Sequence, residues 1–142
     1  MLLIELSVAK RMIADVEPDQ KECCGFFFGH ANTINRTVTK SLMATNSTPK
    51  DKCTNFAISS QDYLQAECIA QKENLSFLGI YHSHPNRPAV PSEYDQEMAF
   101  PWFSYIIISV INKKFKKIRS WQLNGHLYFQ EEEIAFIQSS LN

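Results

Sequence analysis

What this 142-residue chain lacks narrows its reading first. Its formal net charge of −1 carries no basic bias, so nothing in its composition suggests a phosphate-binding surface or a nucleic-acid partner. No apolar run approaches the roughly 20 residues of a bilayer span. The longest, "YIIISVI", covers only Tyr105 to Ile111. The opening "MLLIELSVAKRM" has a short apolar run with no basic region before it, and so does not resemble a signal peptide. A cytoplasmic protein with no membrane partner is the expectation. Cys23, Cys24, Cys53 and Cys68 include no CxxC pair, and two adjacent cysteines make a poor zinc-ligand pattern. They are expected to be reduced thiols, in the core or at the surface. There is no internal repeat, low-complexity tract or linker, so residues 1–142 are expected to form one domain.

What is present fits a folded protein: 44% of residues are hydrophobic and 20% charged. Val8, Met12, Ile13 and Val16 have helical spacing, with Ser7 as the expected N-cap and Pro18 as the stop. "ECCGFFFGH" and "TINRTVTKSLMA" predict strands, followed by a turn-rich loop and a short strand "FAIS". A helix is predicted from Ser60 to Asn74, with Leu64, Cys68 and Ile69 on one side. "LSFLGIYHSH" predicts a strand ended by Pro85, and a short helix is expected near Ser92. "SYIIISVI" predicts a strand buried on both faces. "IRSWQLNGHLYFQ" predicts a hairpin turning at Asn124-Gly125, where positive φ is favoured. "EEEIAFIQSS" is expected to close the chain as a helix. The sum is an α/β or α+β domain around a mixed sheet flanked by helices.

The chemistry concentrates in "YHSHPNRPAVPSEYD". On a strand, side chains two residues apart share a face, so His82 and His84 project together, in line with Leu78 and Ile80. By itself this pair could equally be two hydrogen-bonded histidines at a half-buried strand end. Ser92-x-x-Asp95 could be an ordinary helix cap, as Ser59-x-x-Asp62 is at the preceding helix. Together they are more informative. A catalytic zinc site needs three ligands from His, Asp or Glu and an open fourth position, and His82, His84 and Asp95 supply that count. Pro85, Pro88 and Pro91 stiffen the connection. No general base is evident within the stretch, since neither Glu93 nor Glu97 has a clear reason to face the ion.

His82-Ser83-His84, seven residues, Ser92, two residues and Asp95 resemble the signature of the JAMM/MPN+ zinc metalloproteases. That signature also needs a glutamate just before a Cys-Gly step, and "KECCGFFFG" offers Glu22. Asn46, "FAIS", the late hairpin and "EEEI" are weaker points of likeness. The resemblance implies an MPN, cytidine-deaminase-like fold. It assigns Zn2+ to His82, His84 and Asp95, makes Glu22 the base that deprotonates the zinc-activated water, and makes Ser92 the hydroxyl donor to the oxyanion. The implied activity is hydrolysis of the peptide or isopeptide bond after the C-terminal Gly-Gly of a ubiquitin-like or β-grasp sulfur-carrier protein. The short segments 53–62 and 95–104 resemble the compact prokaryotic members rather than the larger deubiquitinases. Two other readings stay open: a non-catalytic MPN-type binding module, and a RadC-like DNA-repair-associated protein, against which Asn86-Arg87 stands where a Ser-Gly step is usual.

Of the remaining features, His30 and His126 are expected to be surface or satisfied histidines. Lys113, Lys114, Lys116, Lys117 and Arg119 are expected to lie about a solvated turn. "FPWF", residues 100–103, is expected to pack in the core, with a groove lining as the alternative. Phe26 and Phe28 are placed on the side of Glu22, where they could shape both site and core.

Overall fold

The computed structural model describes residues 1–139. Its first element differs from expectation. Leu2–Glu5 forms strand β1 and runs without a linker into helix α1, Leu6–Val16. The buried Leu2 and Ile4 alternate, which is the period of a strand. Glu5 takes the N-cap position with no side-chain cap, so Ser7 is already inside the helix, where its hydroxyl shares a 2.8 Å hydrogen bond with that of Ser139. The helix ends before Pro18, as its missing N–H requires.

Strands β2 (Cys24–Ala31) and β3 (Arg36–Ala44) pair antiparallel. The expected strand "FAIS" is not formed: Phe56–Ser59 is irregular chain. Ala57 is held by the 46–47 segment, with Asn46 Oδ1 accepting the Ala57 N–H at 3.1 Å and Ser47 N donating to the Ala57 carbonyl at 2.8 Å. Helix α2, Ser60–Lys72, is capped by Ser59, whose hydroxyl accepts from Asp62 N at 3.1 Å. The three residues expected on one side divide, with Ile69 packed against the core. Ala66 and Ala70 are buried while Leu64 and Cys68 face solvent, and small side chains are what allow the helix to approach the sheet.

Strand β4 (Ser76–Pro85) lies antiparallel to β2 and parallel to β5 (Ser104–Ile111), with the short helix α3 (Glu93–Glu97) in the crossover. Strands β6 (Lys114–Leu123) and β7 (Phe129–Glu132) continue the sheet as a hairpin. Its connection runs from Asn124 to Tyr128, and the positive φ of 64° falls on Leu127 rather than on Asn124-Gly125. The predicted terminal helix is replaced by the end of β7 and by strand β8, Ile134–Ile137, parallel to β1. Backbone bonds to β6 and β1 outcompete a local helix in this stretch. Its Ser140 lies outside the described residues.

The eight strands run in the order β7-β6-β5-β4-β2-β3-β1-β8. The two edge strands are separated in sequence only by Glu133, whose carbonyl accepts Leu2 N–H at 2.8 Å. The sheet must therefore curl until its ends nearly meet. Across the curl, Arg36 of β3 donates to Ser104 Oγ at 3.1 Å and lies 4.2 Å over the Trp102 ring. One face buries Val8, Met12, Phe27, Tyr81 and Ile106 under α1; the other buries Phe26, Phe28 and Ile80 with Ala66 and Ala70 of α2. Strand β5, buried on both faces as its apolar run requires, carries the join.

A Cβ on Gly79 would run into the Ser104 carbonyl and the Phe27 ring. Gly79→Ala is expected to lower stability by about 1–3 kcal/mol, read from the urea midpoint. Gly125→Ala, with open space at its Cβ, is expected to stay within about 0.5 kcal/mol of the native chain.

Candidate metal centre

The last turns of β4 carry the two histidines. His82 and His84 share the α2 face with Ile80, but Leu78 does not, contrary to the alternation expected from sequence. A bulge shifts the β2–β4 register between Phe27 and Phe28, and Leu78 packs in the cluster under α1 instead. Both imidazoles are almost fully buried, and their Nε2 atoms lie 3.1 Å apart. Asp95 Oδ2 sits 3.3 Å from each of them. His84 Nδ1 lies 2.8 Å from the Pro88 carbonyl. A carbonyl can only accept, so Nδ1 carries a proton there, and Nε2 faces His82 and Asp95. His82 Nδ1 has no such partner; its ring is held by stacking on Phe56 at 4.4 Å.

Glu22 reaches this cluster from just before β2. Cys24 pairs with His82, and Ser83 fixes the step between: Cys23 N donates to Ser83 Oγ at 2.8 Å, while Ser83 N donates to Cys23 O at 2.9 Å. The Glu22 backbone is pinned twice more. Its N–H donates to Lys52 O at 2.7 Å, and its carbonyl accepts from Asn46 Nδ2 at 3.0 Å. Asn46 also donates to Asn55 O and accepts from Thr48 N and Ala57 N, so one amide ties Glu22 to the whole 46–57 loop. The Glu22 carboxylate is buried, with Oε2 paired to Arg87 and Oε1 without a partner among the described residues. Burial pushes its pKa above the usual carboxylate range, against the opposing pull of His82, His84 and Arg87.

Ser92 and Asp95 form a reciprocal cap on α3. Ser92 Oγ accepts from Asp95 N at 3.0 Å, and Ser92 N donates to Asp95 Oδ2 at 2.9 Å. The hydroxyl proton of Ser92 remains available to donate elsewhere. Burial opposes ionisation of Asp95, yet the His82 and His84 rings and the Ser92 amide outweigh it and hold its pKa well below the ordinary range. The loop joining β4 to α3 is held by more than its prolines. Asn86 adopts a φ of 56° and donates to Val110 O, Ser109 Oγ donates to Arg87 O, and Trp121 Nε1 donates to Ala89 O.

Glu22, His82, His84, Ser92 and Asp95 are thus gathered at one place from three separate segments. Glu93 and Glu97 are exposed, as are His30 and His126. Lys113, Lys114, Lys116 and Lys117 are exposed about the β5–β6 turn. Phe26 and Phe28 pack under α2 rather than lining the site. "FPWF" divides its roles: Phe103 packs against the core, Trp102 lies under Arg36, and Phe100 walls an apolar cavity beside His82. All four cysteines are free; Cys23 and Cys24 are buried and their thiols pushed up to about 12, chiefly by burial. The Arg87–Glu22 pair has no local pattern and was not legible in the sequence, and of the cavity wall only the 100–103 segment was, as a groove lining.

The donor set fits a divalent metal. Two imidazole nitrogens and a carboxylate oxygen converge without enough hydrogens to satisfy one another, and ligand atoms of Glu22, His82 and His84 also fall within 4.8 Å. The numbers of N and O donors match a zinc site, with His82, His84 and Asp95 mutually closest and Glu22 left to the side with a free oxygen.

A family model described as prokaryotic homologs of the JAB domain matches residues 5–124, and the chain belongs to that family. It is 28% identical over 134 residues to a desampylase from Pyrococcus furiosus, covering 94% of this chain and 89% of that protein. The solution structure of a Desulfitobacterium hafniense protein superposes with a TM-score of 0.85 at 27% identity, covering 98% of this chain and 94% of the other. One from Salinibacter ruber gives 0.73 at 27% identity, covering 94% and 90%.

Two outcomes follow from this geometry. Asp95, with its depressed pKa, contributes stability that is present above its ordinary value of 3.8 and is lost as pH falls through the folded one. In metal-stripped protein, Asp95→Asn is expected to flatten that acid limb in denaturant titrations from pH 5 to about pH 2. Asn46→Ala leaves four part-buried hydrogen-bond partners without it and is expected to cost about 2–4 kcal/mol in the same assay.

Proposed function

We propose that the chain is a zinc-dependent peptidase or isopeptidase. Its substrate is the bond after the C-terminal Gly-Gly of a ubiquitin-like or β-grasp sulfur-carrier protein, and residues 1–142 act as one JAMM/MPN+ metalloprotease domain. The observation that carries the reading is the convergence of His82 Nε2, His84 Nε2 and Asp95 Oδ2 beside the buried Glu22 carboxylate. Membership of the JAB family and likeness to a desampylase support a ubiquitin-like substrate. A cytoplasmic location belongs to the same proposal; among the described residues no helix is long and apolar enough to cross a membrane.

In this reading His82, His84 and Asp95 hold the ion. A zinc ion bound there supplies Lewis acidity, acidifying a water and polarising the scissile carbonyl. Glu22 takes a proton from the attacking water. Its raised pKa moves it toward neutral pH, where a general base works best. The same carboxyl then returns the proton to the leaving amine. Arg87 holds one oxygen of Glu22 and leaves the other, Oε1, to handle the proton. Ser92 keeps its Oγ on the Asp95 amide and donates its hydroxyl proton to the carbonyl oxygen as negative charge develops. The hydroxyl is expected to be worth about 2.7–4 kcal/mol of barrier, so Ser92→Ala should slow turnover by a factor of about 10²–10³.

The test is intact-mass analysis of β-grasp proteins extended beyond Gly-Gly, incubated with the native chain, Glu22→Gln, or the native chain plus a chelator. Cleavage after Gly-Gly by the native chain alone is expected, with Glu22→Gln inactive yet still carrying one zinc. A zinc-loaded chain that cuts none of them would overturn the substrate class. A chain that neither cuts nor binds zinc would be a binding module instead.

A further inference from the structure

Beside the metal centre lies a cavity of about 140 Å³ with no assigned occupant. We propose that it receives one uncharged side chain of the substrate, aromatic or branched aliphatic, and thereby selects which tail is cut. This inference rests on the function proposed above and adds to it a requirement on the residues flanking the bond.

Size is the first argument. An apolar cavity of about 150 Å³ accommodates benzene, whereas drug-sized ligands occupy roughly 300–1,000 Å³. The space matches a single ring or branched aliphatic group, not a free cofactor of ordinary dimensions. Chemistry is the second. The wall is formed by Phe56, Ile58, Tyr63, Met98, Phe100 and Phe129, and among the described residues its one carboxylate is Asp95, which already serves the α3 cap and the histidines. A charged side chain placed there would lose its hydration without gaining a partner.

The walls are also fixed. Tyr63 meets Phe100 edge-on at 6.0 Å and Phe26 at 5.7 Å, while Tyr105 meets Phe129 at 5.5 Å. Two backbone amides anchor the mouth: Phe100 N donates to Tyr105 Oη at 2.7 Å, and Phe129 N donates to Gln96 Oε1 at 2.8 Å. Protein interiors rarely leave voids larger than a water, so a preserved space of this size is a feature of the site. At the rim, Met98 is 60% exposed and Phe100 51%, too much for completed core packing.

Position supplies the link to the reaction. His82 and Asp95 form part of the wall, so a group in the cavity lies beside the scissile bond. An extended chain advances roughly 3.3–3.6 Å per residue. The two residues before the bond are glycines in the proposed substrate. The occupant is then the side chain following the bond or the one preceding the glycines, and both are the same chemistry.

Two series of fluorescein-labelled peptides separate these positions. One varies the residue before Gly-Gly and the other varies the residue after it, through Ala, Leu, Phe, Trp, Asp and Lys. Binding is read by anisotropy on zinc-loaded Glu22→Gln, and cleavage by mass on the native chain. We expect Phe or Leu to bind at least about tenfold tighter than Ala, Asp or Lys in one series, a ratio typical of apolar pockets. Ala57→Leu, which adds volume at the wall, should abolish the preference; Phe100→Ala, at a half-exposed site, should shift it toward Trp. Zinc content and melting confirm that each variant is folded. If Ala57→Leu does not fold, Phe100→Ala decides. A flat series, or a preference untouched by the folded variants, overturns the pocket. Cleavage without preference leaves the peptidase standing and removes the pocket alone. Selective binding without cleavage does the reverse.

Discussion

The antiparallel pairing of Cys24 with His82 is the contact on which the site depends. It sets the end of β4 against the start of β2, so that Glu22 arrives opposite the histidines. Ser83 locks the step through its backbone and its hydroxyl, both bonded to Cys23. Because side chains alternate along strands, a slip of one residue would send His82 and His84 to the α1 face and leave Glu22 without them. The bulge at Leu78, four residues before His82, turns that side chain away and shows that the register is adjusted locally while the chemistry-bearing end is held. Asn46 completes the restraint from the other side, fastening the Glu22 carbonyl and the 46–57 loop with one side chain.

A second constraint is electrostatic. Glu22, His82, His84 and Asp95 are removed from water at a point where the sheet is otherwise apolar, and each ionised group there needs compensation. Asp95 obtains it from two imidazoles and the Ser92 amide, Glu22 only in part from Arg87. The outcome is two carboxyl groups with opposite displacements, one held ionised and suited to a ligand, the other raised and suited to proton transfer. Environment, not residue type, separates their roles.

Much of this was legible in the residues. The spacing of His82, His84, Ser92 and Asp95 predicted two same-face histidines and a cap, and the structure has both arrangements. The strand of Tyr105 to Ile111 was visible because burial on both faces demands a continuous apolar run. The errors share a cause. "EEEIAFIQSS" has residues that suit a helix, yet most of it joins the sheet, because β1 and β6 supply backbone partners no local pattern reveals. Leu64, Cys68 and Ile69 were expected to share one side of α2, but contact with the sheet selected Ile69 with the smaller Ala66 and Ala70 and left Leu64 and Cys68 exposed.

By itself the sequence determined the chemical types available: which residues can ligate, which can carry a proton, and which strand is apolar throughout. These follow from side-chain identity and from the short periods of local structure. Only the tertiary structure decided that Glu22, some sixty residues before His82, stands beside it, that Arg87 takes one of its oxygens, and that a ring-sized apolar cavity opens at its flank. Those facts depend on register, on the bulge and on the curl that brings both sheet edges to Glu133. Each is settled by the free energy of packing distant segments together, which no stretch of sequence contains alone.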